Sequence, residues 1–406
     1  MARDQPTSGP PALCSGNVCI ASMHCLFKTT LCCIATPILL FVLGASFLHL
    51  NRNSPQIMGV IPFVTPRETW GITPSSVPPQ VGKTVVVTGA NAGLGFSSVK
   101  ILVDAGAHVV MGCRSVAKCA AAHQRILHHN NQASVEVGIV DLADLASIQT
   151  FVHTFNANHP TGLNALMLNA GVMACPYGLT KDGIERQFGT NHVGHQYLTQ
   201  LLLPSILKKS SHDAMTHIVS LSSTASFATY EPQGVKLTLD DINNEGEYNT
   251  MKAYGQSKLA NILFVQELSE RVVAQGSNVM VTAVHPGLVT TELSRHFKQA
   301  MPSFMAPVLD QLFGRIAWTS DVAALSQVFA MTSTKLQTDP ETYRGKFIVP
   351  LARVGVPPVH AGNVELQKRL WTFTEELIQE KMALRTGAVK QKKQSGGKKI
   401  KMAEEL

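Results

Sequence analysis

The sequence lacks the cysteine spacings that mark a zinc site or a disulfide-rich module. Five of its eight cysteines fall within the first 33 residues, and the other three, Cys113, Cys119 and Cys175, are scattered without a CxxC pair. No cluster of cysteine and histidine has the spacing of zinc ligands. We therefore predict no metal site and no disulfide framework, and we expect the three later thiols to be unpaired, as in a reducing compartment.

Charge is scarce outside the last residues of the chain. Residues 386–406 contain six lysines against two glutamates, so this tail carries +4 of the net charge of +7. The rest of the chain is nearly neutral, which argues against a nucleic-acid partner. We predict a disordered, solvated tail; contact with lipid headgroups or a partner protein is the alternative.

Residues 29–50 contain no charged side chain and are long enough to cross a hydrocarbon layer of about 30 Å as a helix. Residues 1–28, a cysteine-containing segment, are too long for the n-region of a cleaved signal peptide, so we predict a retained, single-pass signal anchor. The flanking charges are balanced and leave its orientation open. Residues 51–80 contain six prolines and are typical of a linker or a surface-hugging arm.

From residue 81 onward, short apolar runs alternate with segments of helical length. Apolar runs without polar alternation are typical of parallel strands buried on both faces. The rhythm predicts a single α/β catalytic domain over residues 81–385. The runs cover residues 83–88, 108–113, 134–140, 163–168, 216–221, 279–285 and 346–349.

A glycine-rich turn follows the first run and leads into a helix-like stretch. Glycines at such a turn let backbone N–H groups approach a pyrophosphate at the positive end of a helix dipole. The spacing is not the usual GxGxxG, so the strand–turn–helix context supports the interpretation. The residues predicted to bind a dinucleotide here are Gly89, Asn91, Gly93, Leu94 and Gly95.

The second run ends without the carboxylate that binds the ribose 2′-hydroxyl in NAD sites. Arg114 stands at that point, with Lys118 one turn later. A guanidinium can form bidentate bonds to a 2′-phosphate, so the sequence favours NADP over NAD. A solvated arginine at a strand end is the alternative.

The third and fourth runs end at the same edge of the predicted sheet, where open α/β folds bind ligands. Asp141 could accept a hydrogen bond from an adenine, beside Leu142. Asn169, Ala170 and Gly171 could bring backbone close to the cofactor. Turn chemistry alone would also explain these residues.

Tyr254 and Lys258 stand four residues apart at the start of a helix-like stretch, so their side chains would share one helical face. A tyrosine hydroxyl titrates near about 10, and a neighbouring ammonium favours the phenolate and lowers that pKa. The pair predicts an acid/base site.

Other polar groups fall at the same predicted edge. The fifth run leads into Ser222 and Ser223, whose hydroxyls can bind a substrate oxygen, and Asn191 interrupts an otherwise helical stretch. For His192 and His195, packing or local hydrogen bonding is preferred over an acid/base role.

Six motifs in order resemble the short-chain dehydrogenase/reductase family, with the retinol-dehydrogenase-like branch as the best match. They are TGANAGLG at 88–95, LNAG at 168–171, NHVGH at 191–195, SLSS at 220–223, YGQSK at 254–258 and HPGLVTTEL at 285–293. Leu168 stands where many members have a second asparagine. The resemblance implies a Rossmann-type, doubly wound sheet of about seven parallel strands.

The resemblance also implies roles for individual residues. Tyr254 would be the general acid or base, and Ser223, with Ser222 as its rival, would hold the substrate oxygen. Lys258 would bind the nicotinamide ribose and lower the tyrosine pKa, and Asn191 would order a water molecule. The residues that would contact the nicotinamide end are Pro286, Gly287, Val289 and Thr291.

Two later segments bear on substrate and partners. Residues 296–318 are rich in Phe, Met and Leu, which suits a lid over a lipophilic substrate; an amphipathic core helix is the alternative. Residues 366–377 have the spacing of a packed terminal helix, with a homodimer or membrane-surface face as the alternative.

Together these features predict a membrane-anchored oxidoreductase that transfers a hydride between NADP(H) and a lipophilic aldehyde, ketone or alcohol, such as a retinoid, steroid or lipid carbonyl. The family analogy favours the endoplasmic reticulum membrane. A membrane-bound NADP(H)-binding scaffold or redox sensor without turnover is the alternative function, since a fold does not fix an activity.

Overall fold

The computed structural model describes residues 72–211, 214–289, 317–350 and 352–385. Eight strands in these residues form one sheet. The strands are β1 Thr84–Thr88, β2 His108–Cys113, β3 Val135–Ile139, β4 Ala165–Leu168, β5 Thr216–Leu221, β6 Val279–Val284, β7 Phe347–Val349 and β8 Arg353–Val354.

Seven long helices accompany the strands: α1 Gly93–Asp104, α2 Val116–His129, α3 Leu145–Asn158, α4 Gly194–Lys209, α5 Thr250–Ala274, α6 Ser320–Thr332 and α7 Val364–Arg385. Shorter helical turns cover Pro74–Ser76, Arg186–Phe188, Gly189–Val193, Thr224–Phe227, Leu239–Ile242, Glu245–Glu247, Thr334–Thr338, Pro340–Tyr343 and Val359–Gly362.

The strand order is β3-β2-β1-β4-β5-β6-β7-β8, so the chain moves outward from β1 to β3 and then crosses to the other side of β1. This is the Rossmann-type, doubly wound arrangement expected from the resemblance. The connections from β1 and β4 leave in opposite directions, and the crevice between them lies at the carboxyl edge of the sheet, where such folds bind ligands.

The predicted seven parallel strands are present, but the sheet has an eighth. Strands β1 to β7 pair in parallel, whereas β8 pairs antiparallel with β7. A strand of two residues, Arg353 and Val354, is too short to leave an apolar run, which is why the sequence did not indicate it.

The sheet separates two apolar cores because successive side chains of a strand point to opposite faces. In β1, Val86 packs into the core shared with α3, α4, α5 and α7. Its neighbours Val85 and Val87 pack into the core shared with α1, α2 and α6. Burial on both faces explains why the strands appear in the sequence as continuous apolar runs.

The two ends of the described chain pack on the domain. Gln80 donates its backbone N–H to the Ala105 carbonyl (2.7 Å), and Val77 lies against the α1 side of the core. At the other end, Leu370 and Trp371 of α7 are buried, in agreement with a packed terminal helix.

Within the described ranges, no helix is long and apolar enough to cross a membrane. The predicted anchor at 29–50 lies outside these ranges, as do residues 1–28, most of the 51–80 segment and the lysine-rich tail at 386–406.

Candidate active site

The predicted catalytic side chains come together at the carboxyl edge of the sheet. Tyr254 and Lys258 lie near the start of α5, one turn apart, and both are buried. Asn249 begins this helix by accepting hydrogen bonds from the backbone N–H groups of Met251 (3.1 Å) and Lys252 (3.0 Å). The cap fixes where the helix starts and hence which residues face the sheet.

Gly255 lets α5 approach the turn that follows β5. A Cβ added there would overlap the Ala228 carbonyl oxygen and lie 2.5 Å from that of Ala225. Any larger residue would push the helix away from this turn. The glycine next to Tyr254 therefore brings the phenol against the serines at the end of β5.

The two serines differ in their partners. Ser222 is buried, and its hydroxyl donates to the Lys258 carbonyl oxygen (2.7 Å). Ser223 begins the turn Thr224–Phe227 by accepting from the Ala225 N–H (3.1 Å), and its side chain hydrogen-bonds the phenol of Tyr254. The geometry thus sets Ser223, rather than its rival Ser222, beside the tyrosine.

The pKa of Tyr254 departs from the expectation drawn from sequence. Burial raises this pKa to about 12, and the hydrogen bond from Ser223 opposes the rise only in part. Burial also lowers the pKa of Lys258 to about 8. The Lys258 ammonium donates to the Leu221 carbonyl oxygen (3.0 Å) and lies 5.6 Å from the centre of the tyrosine ring. Desolvation therefore dominates both groups in this chain.

Asn191 lies in the π-helical turn Gly189–Val193, and both the oxygen and the nitrogen of its side-chain amide form hydrogen bonds within the protein. The Oδ1 atom accepts from the Val172 N–H (2.8 Å), and Nδ2 donates to the Val172 carbonyl (2.9 Å) and the Ser257 hydroxyl (2.9 Å). Asn191 thereby ties the loop after β4 to α5. Its side chain holds these elements in register, and the water-ordering role implied by the resemblance stays a prediction.

The glycine-rich turn after β1 is closely packed. Gly89 and Gly93 have positive φ angles of 66° and 52°, which favour glycine. A Cβ on Gly95 would overlap the Gly89 carbonyl oxygen and lie 2.5 Å from Nδ2 of Asn169. Asn91 and Leu94 are partly buried in the same turn. Helix α1 begins here with Ala92 as N-cap, which offers no side-chain acceptor to the first N–H groups.

Thr88 connects this turn to the end of β4 and was not singled out from the sequence. Its Oγ1 accepts from the backbone N–H groups of Asn169 (2.9 Å) and Ala170 (3.0 Å) and lies 3.0 Å from Nε2 of His195. Asn169 returns a bond from Nδ2 to the Thr88 carbonyl (2.8 Å). Thr88 thus joins the two strands at the crevice.

Gln327 on α6 was also missed. Its Nε2 donates to the Ser98 hydroxyl (2.6 Å) and lies 3.3 Å from Oδ1 of Asn169. The partner Ser98 is 229 residues away in the chain, and no local pattern indicates such a contact.

Gly171 lies beside the catalytic residues. A Cβ there would be 3.1 Å from Oδ1 of Asn191 and 3.6 Å from Nζ of Lys258.

Asp141 follows β3 and is partly buried. Its Oδ1 accepts from the Ala143 N–H (3.0 Å), the turn chemistry that was the alternative to a contact with adenine. Leu142 is buried, and its backbone packs closely against Gly194.

Arg114 directly follows β2, and Lys118 lies in the first turn of α2, which Ser115 caps; both side chains are exposed. The cysteine prediction fails at this turn. Cys113 and Cys119 form a disulfide, with Cα atoms 5.9 Å apart. The tight return of the chain from β2 into α2 brings the two residues within bonding reach without a CxxC spacing. Cys175 is buried and has no disulfide partner among the described residues.

Pro286, Gly287 and Val289 lie after β6 at the same edge, and Gly287 has a φ of 95°. Thr291 lies outside the described residues, as does nearly all of the proposed lid at 296–318. At its end, Trp318 is described; it is buried, and its backbone bridges to Val289.

His192 and His195 are buried, and burial lowers the pKa of each to about 3, so both are neutral at physiological pH. His192 contacts the Thr374 hydroxyl (3.1 Å), and Nδ1 of His195 contacts the Asn191 carbonyl (3.0 Å). These contacts agree with the preferred structural interpretation of both residues.

Comparisons with known proteins point to one family. The sequence profile described as short chain dehydrogenase matches residues 83–235. Retinol dehydrogenase 13 of Homo sapiens is 37% identical over 313 residues, covering 76% of this chain and 88% of that protein. Short-chain dehydrogenase TIC 32 A, chloroplastic, of Brassica napus is 36% identical over 73% of this chain and 88% of its own length. Among solved structures, an uncharacterized protein from Mycobacterium paratuberculosis is similar with a TM-score of 0.56 and 31% identity, over 76% of this chain and 97% of that one.

Proposed function

The chain belongs to the short-chain dehydrogenase/reductase family, in its retinol-dehydrogenase-like branch, and on that premise we propose that it is an NADP(H)-dependent oxidoreductase acting on a lipophilic aldehyde, ketone or alcohol. The observation that carries the proposal is the convergence of Tyr254, Ser223 and Lys258 beside the glycine-rich turn at the carboxyl edge of the sheet.

The residues of the turn fit a dinucleotide. The Gly95 position has no room for a Cβ, and the first N–H groups of α1 receive no side-chain cap, so backbone donors are available to a phosphate group. Beside them, Asp141, Leu142 and the 169–171 loop would line the adenosine and ribose parts, and residues 286–291 the nicotinamide end. A bound nicotinamide cofactor would supply or accept the hydride.

Arg114 and Lys118 support NADP as the preferred cofactor. Both cations are exposed where β2 leads into α2. Residues 114–118 include no carboxylate. Replacing Arg114 with Ala should lower the NADPH-to-NADH ratio of kcat/KM about tenfold, since one exposed, charge-assisted contact to the 2′-phosphate is lost. Arg353→Ala is the control, because Arg353 is an exposed arginine on β8, beyond β7 in the sheet. An unchanged ratio would favour a solvated Arg114.

Tyr254 would move the proton. In the reducing direction its hydroxyl donates a proton to the substrate oxygen as the carbonyl carbon gains the hydride, and in the oxidising direction the phenolate takes the proton back. A pKa raised to about 12 keeps the phenol protonated at neutral pH, the form required of a general acid. Ser223, already hydrogen-bonded to the phenol, would hold the substrate oxygen in line with it.

Lys258 and Asn191 would support the tyrosine in different ways. The Lys258 ammonium lies on the same helical face one turn away, where it would bind the nicotinamide ribose and stabilise negative charge on the phenolate oxygen. We assign Asn191 as a positioning residue, because its amide joins the loop after β4 to Ser257.

The substrate class and the membrane anchor are further parts of the proposal. Relatives named retinol dehydrogenase 12, 13 and 14 cover most of the chain, which favours a lipophilic alcohol or aldehyde. An apolar anchor at 29–50, a linker at 51–80 and the catalytic domain at 81–385 would hold the enzyme at a membrane, the endoplasmic reticulum by family analogy, where such a substrate partitions. The tail at 386–406 would be solvated.

The test is NADPH oxidation by the purified, detergent-solubilised full chain against a panel of lipophilic aldehydes and ketones. Tyr254→Phe should lose at least about 100-fold in kcat while still binding NADPH, because only the proton donor is removed. Tyr197→Phe, which removes a hydroxyl from a buried tyrosine on α4, is the matched control. NADPH binding without turnover on the whole panel would instead favour the scaffold or redox sensor.

A further inference from the structure

We propose that His108, Glu136 and His159 form a binding site for a divalent transition-metal ion such as Zn²⁺, at the edge of the sheet opposite the catalytic residues. His108 begins β2, Glu136 is the second residue of β3, and His159 follows the last residue of α3. Helix α3 runs back against the strands, so its end meets the amino ends of β2 and β3. The three residues are far apart in sequence, which is why no spacing motif indicated them.

The three side chains converge on one point. Nε2 of His159 lies 2.6 Å from Oε1 of Glu136, Nε2 of His108 lies 3.9 Å from Oε2, and all three ligand atoms lie within 4.8 Å of one another. Zinc with bonds of about 2.0–2.1 Å in a tetrahedral site sets its ligand atoms roughly 3.3 Å apart. The observed distances bracket that spacing, so side-chain rotations of modest size would complete the site.

The histidine rings are held with their Nε2 atoms toward the carboxylate. Nδ1 of His108 lies 2.7 Å from the Ser134 hydroxyl, an arrangement that orients a ligating imidazole from its far side. The ring of His159 stacks on Phe155 with centroids 4.7 Å apart.

The hydrogen bond between His159 and Glu136 accounts for only two of the three side chains. His159 and Glu136 form a short one, but Nε2 of His108 is buried, faces the same carboxylate and has no hydrogen-bond partner among the described residues. An ion bound between the three would satisfy that nitrogen together with both others.

The ligand set selects the kind of ion. Two imidazoles and one carboxylate suit zinc and similar transition metals, whereas Ca²⁺ and Mg²⁺ prefer sites made of oxygen atoms. Three protein ligands leave one position for water. The ion would join β3, an edge strand with partly exposed Val137 and Ile139, to β2 and α3. We therefore assign it a structural role, separate from hydride transfer.

The experiment is a titration of the chelator-treated, detergent-solubilised full chain with ZnCl₂, followed by measurement of the metal retained after desalting. Wild type should retain one equivalent more than His108→Ala, His159→Ala or Glu136→Gln. Binding by the cysteines of residues 1–33 is common to every variant and cancels in this difference. CoCl₂ should give visible ligand-field absorption in wild type that is weaker in each of the three.

Two further variants sharpen the test. Ser134→Ala keeps all three ligands and should weaken Zn²⁺ binding roughly 10- to 100-fold, as loss of a supporting hydrogen bond does at other sites. His129→Ala is the matched control, since His129 lies 2.8 Å from Asp104 in an exposed pair that has no third ligand among the described residues, and it should bind like wild type.

Each outcome supports or overturns the proposal. Loss of one equivalent in the three ligand variants, with the control unchanged, supports it. Equal retention in wild type and ligand variants overturns it, as does an equal response to MgCl₂ or CaCl₂. Thermal unfolding and NADPH oxidation, measured on the metal-free variants, show whether each variant is folded, independently of its metal content. If a histidine variant is unfolded, zinc retention by Glu136→Gln and Ser134→Ala distinguishes the two outcomes.

Discussion

Gly95 offers a sharp test of the cofactor turn, because the structure gives the consequence of a single added methyl group. In Gly95→Ala the new Cβ would overlap the Gly89 carbonyl oxygen, lie 2.5 Å from Nδ2 of Asn169 and 2.9 Å from the Gly89 carbonyl carbon. Contacts this short are relieved only by displacing the backbone, because the turn is packed on both sides. We expect the turn to open at the point where its N–H groups would meet the pyrophosphate.

Both the unfolding free energy and the NADPH affinity of Gly95→Ala should change. Overpacking of this kind costs about 1–3 kcal/mol of unfolding free energy, of which the better helix propensity of alanine recovers less than about 1 kcal/mol. Displacing the backbone donors would break one or two charge-assisted hydrogen bonds, so NADPH should bind roughly 10- to 100-fold more weakly. The effect on cofactor affinity should thus exceed what lost stability alone would cause.

The assay is a fluorescence titration with NADPH beside thermal unfolding without cofactor. Gly362→Ala is the control, since its Cβ would meet no atom within 4 Å and its φ lies outside the positive range; its stability should stay within about 0.5 kcal/mol of wild type. Wild-type NADPH affinity in Gly95→Ala would refute the assignment of this turn as the phosphate site.

Two other predictions concern stability. Burial lowers the pKa of Lys258 to about 8 from an ordinary 10.5, so between these values the unfolded chain binds more protons and stability rises with pH. From pH 7 to pH 9.5 wild type should gain about 2 kcal/mol in urea unfolding relative to Lys258→Met, and a constant difference would contradict the shifted pKa. Thr88→Val leaves two backbone N–H groups without an acceptor and should cost about 2–4 kcal/mol in the same assay. Thr282→Val should be near neutral, because Oγ1 of Thr282 has no partner among the described residues; equal losses would count against the role of Thr88.

Most of the strands were predictable from the sequence because every parallel strand except the edge strand β3 is buried on both faces. Run 108–113 coincides with β2, and run 216–221 coincides with β5. Parallel strands between two layers of helices need apolar side chains in both directions, and such runs stand out between helical segments. The two-residue strand β8 has no comparable requirement and left no signal.

The candidate site was predictable where chemistry and local geometry coincide. Tyr254 and Lys258 share a helical face, and the glycines of the first turn are needed by the backbone, so both leave patterns that can be seen without a structure. Thr88 and Gln327 leave none, because their partners lie in distant parts of the chain. The pKa of Tyr254 was expected to fall, but the cost of burying the phenolate cannot be inferred from sequence spacing.

The disulfide after β2 bears on the proposed binding of the 2′-phosphate of NADP at Arg114 and Lys118. Cys113 and Cys119 close a covalent ring across six positions, and Arg114 and Lys118 both lie inside it. A flexible turn gives up conformational entropy when a ligand orders it, and that loss opposes binding. A turn confined by a ring is already preorganised, so less is lost when a phosphate arrives. If the 2′-phosphate binds here as proposed, the disulfide would raise its affinity by restricting the backbone conformations of the unbound turn.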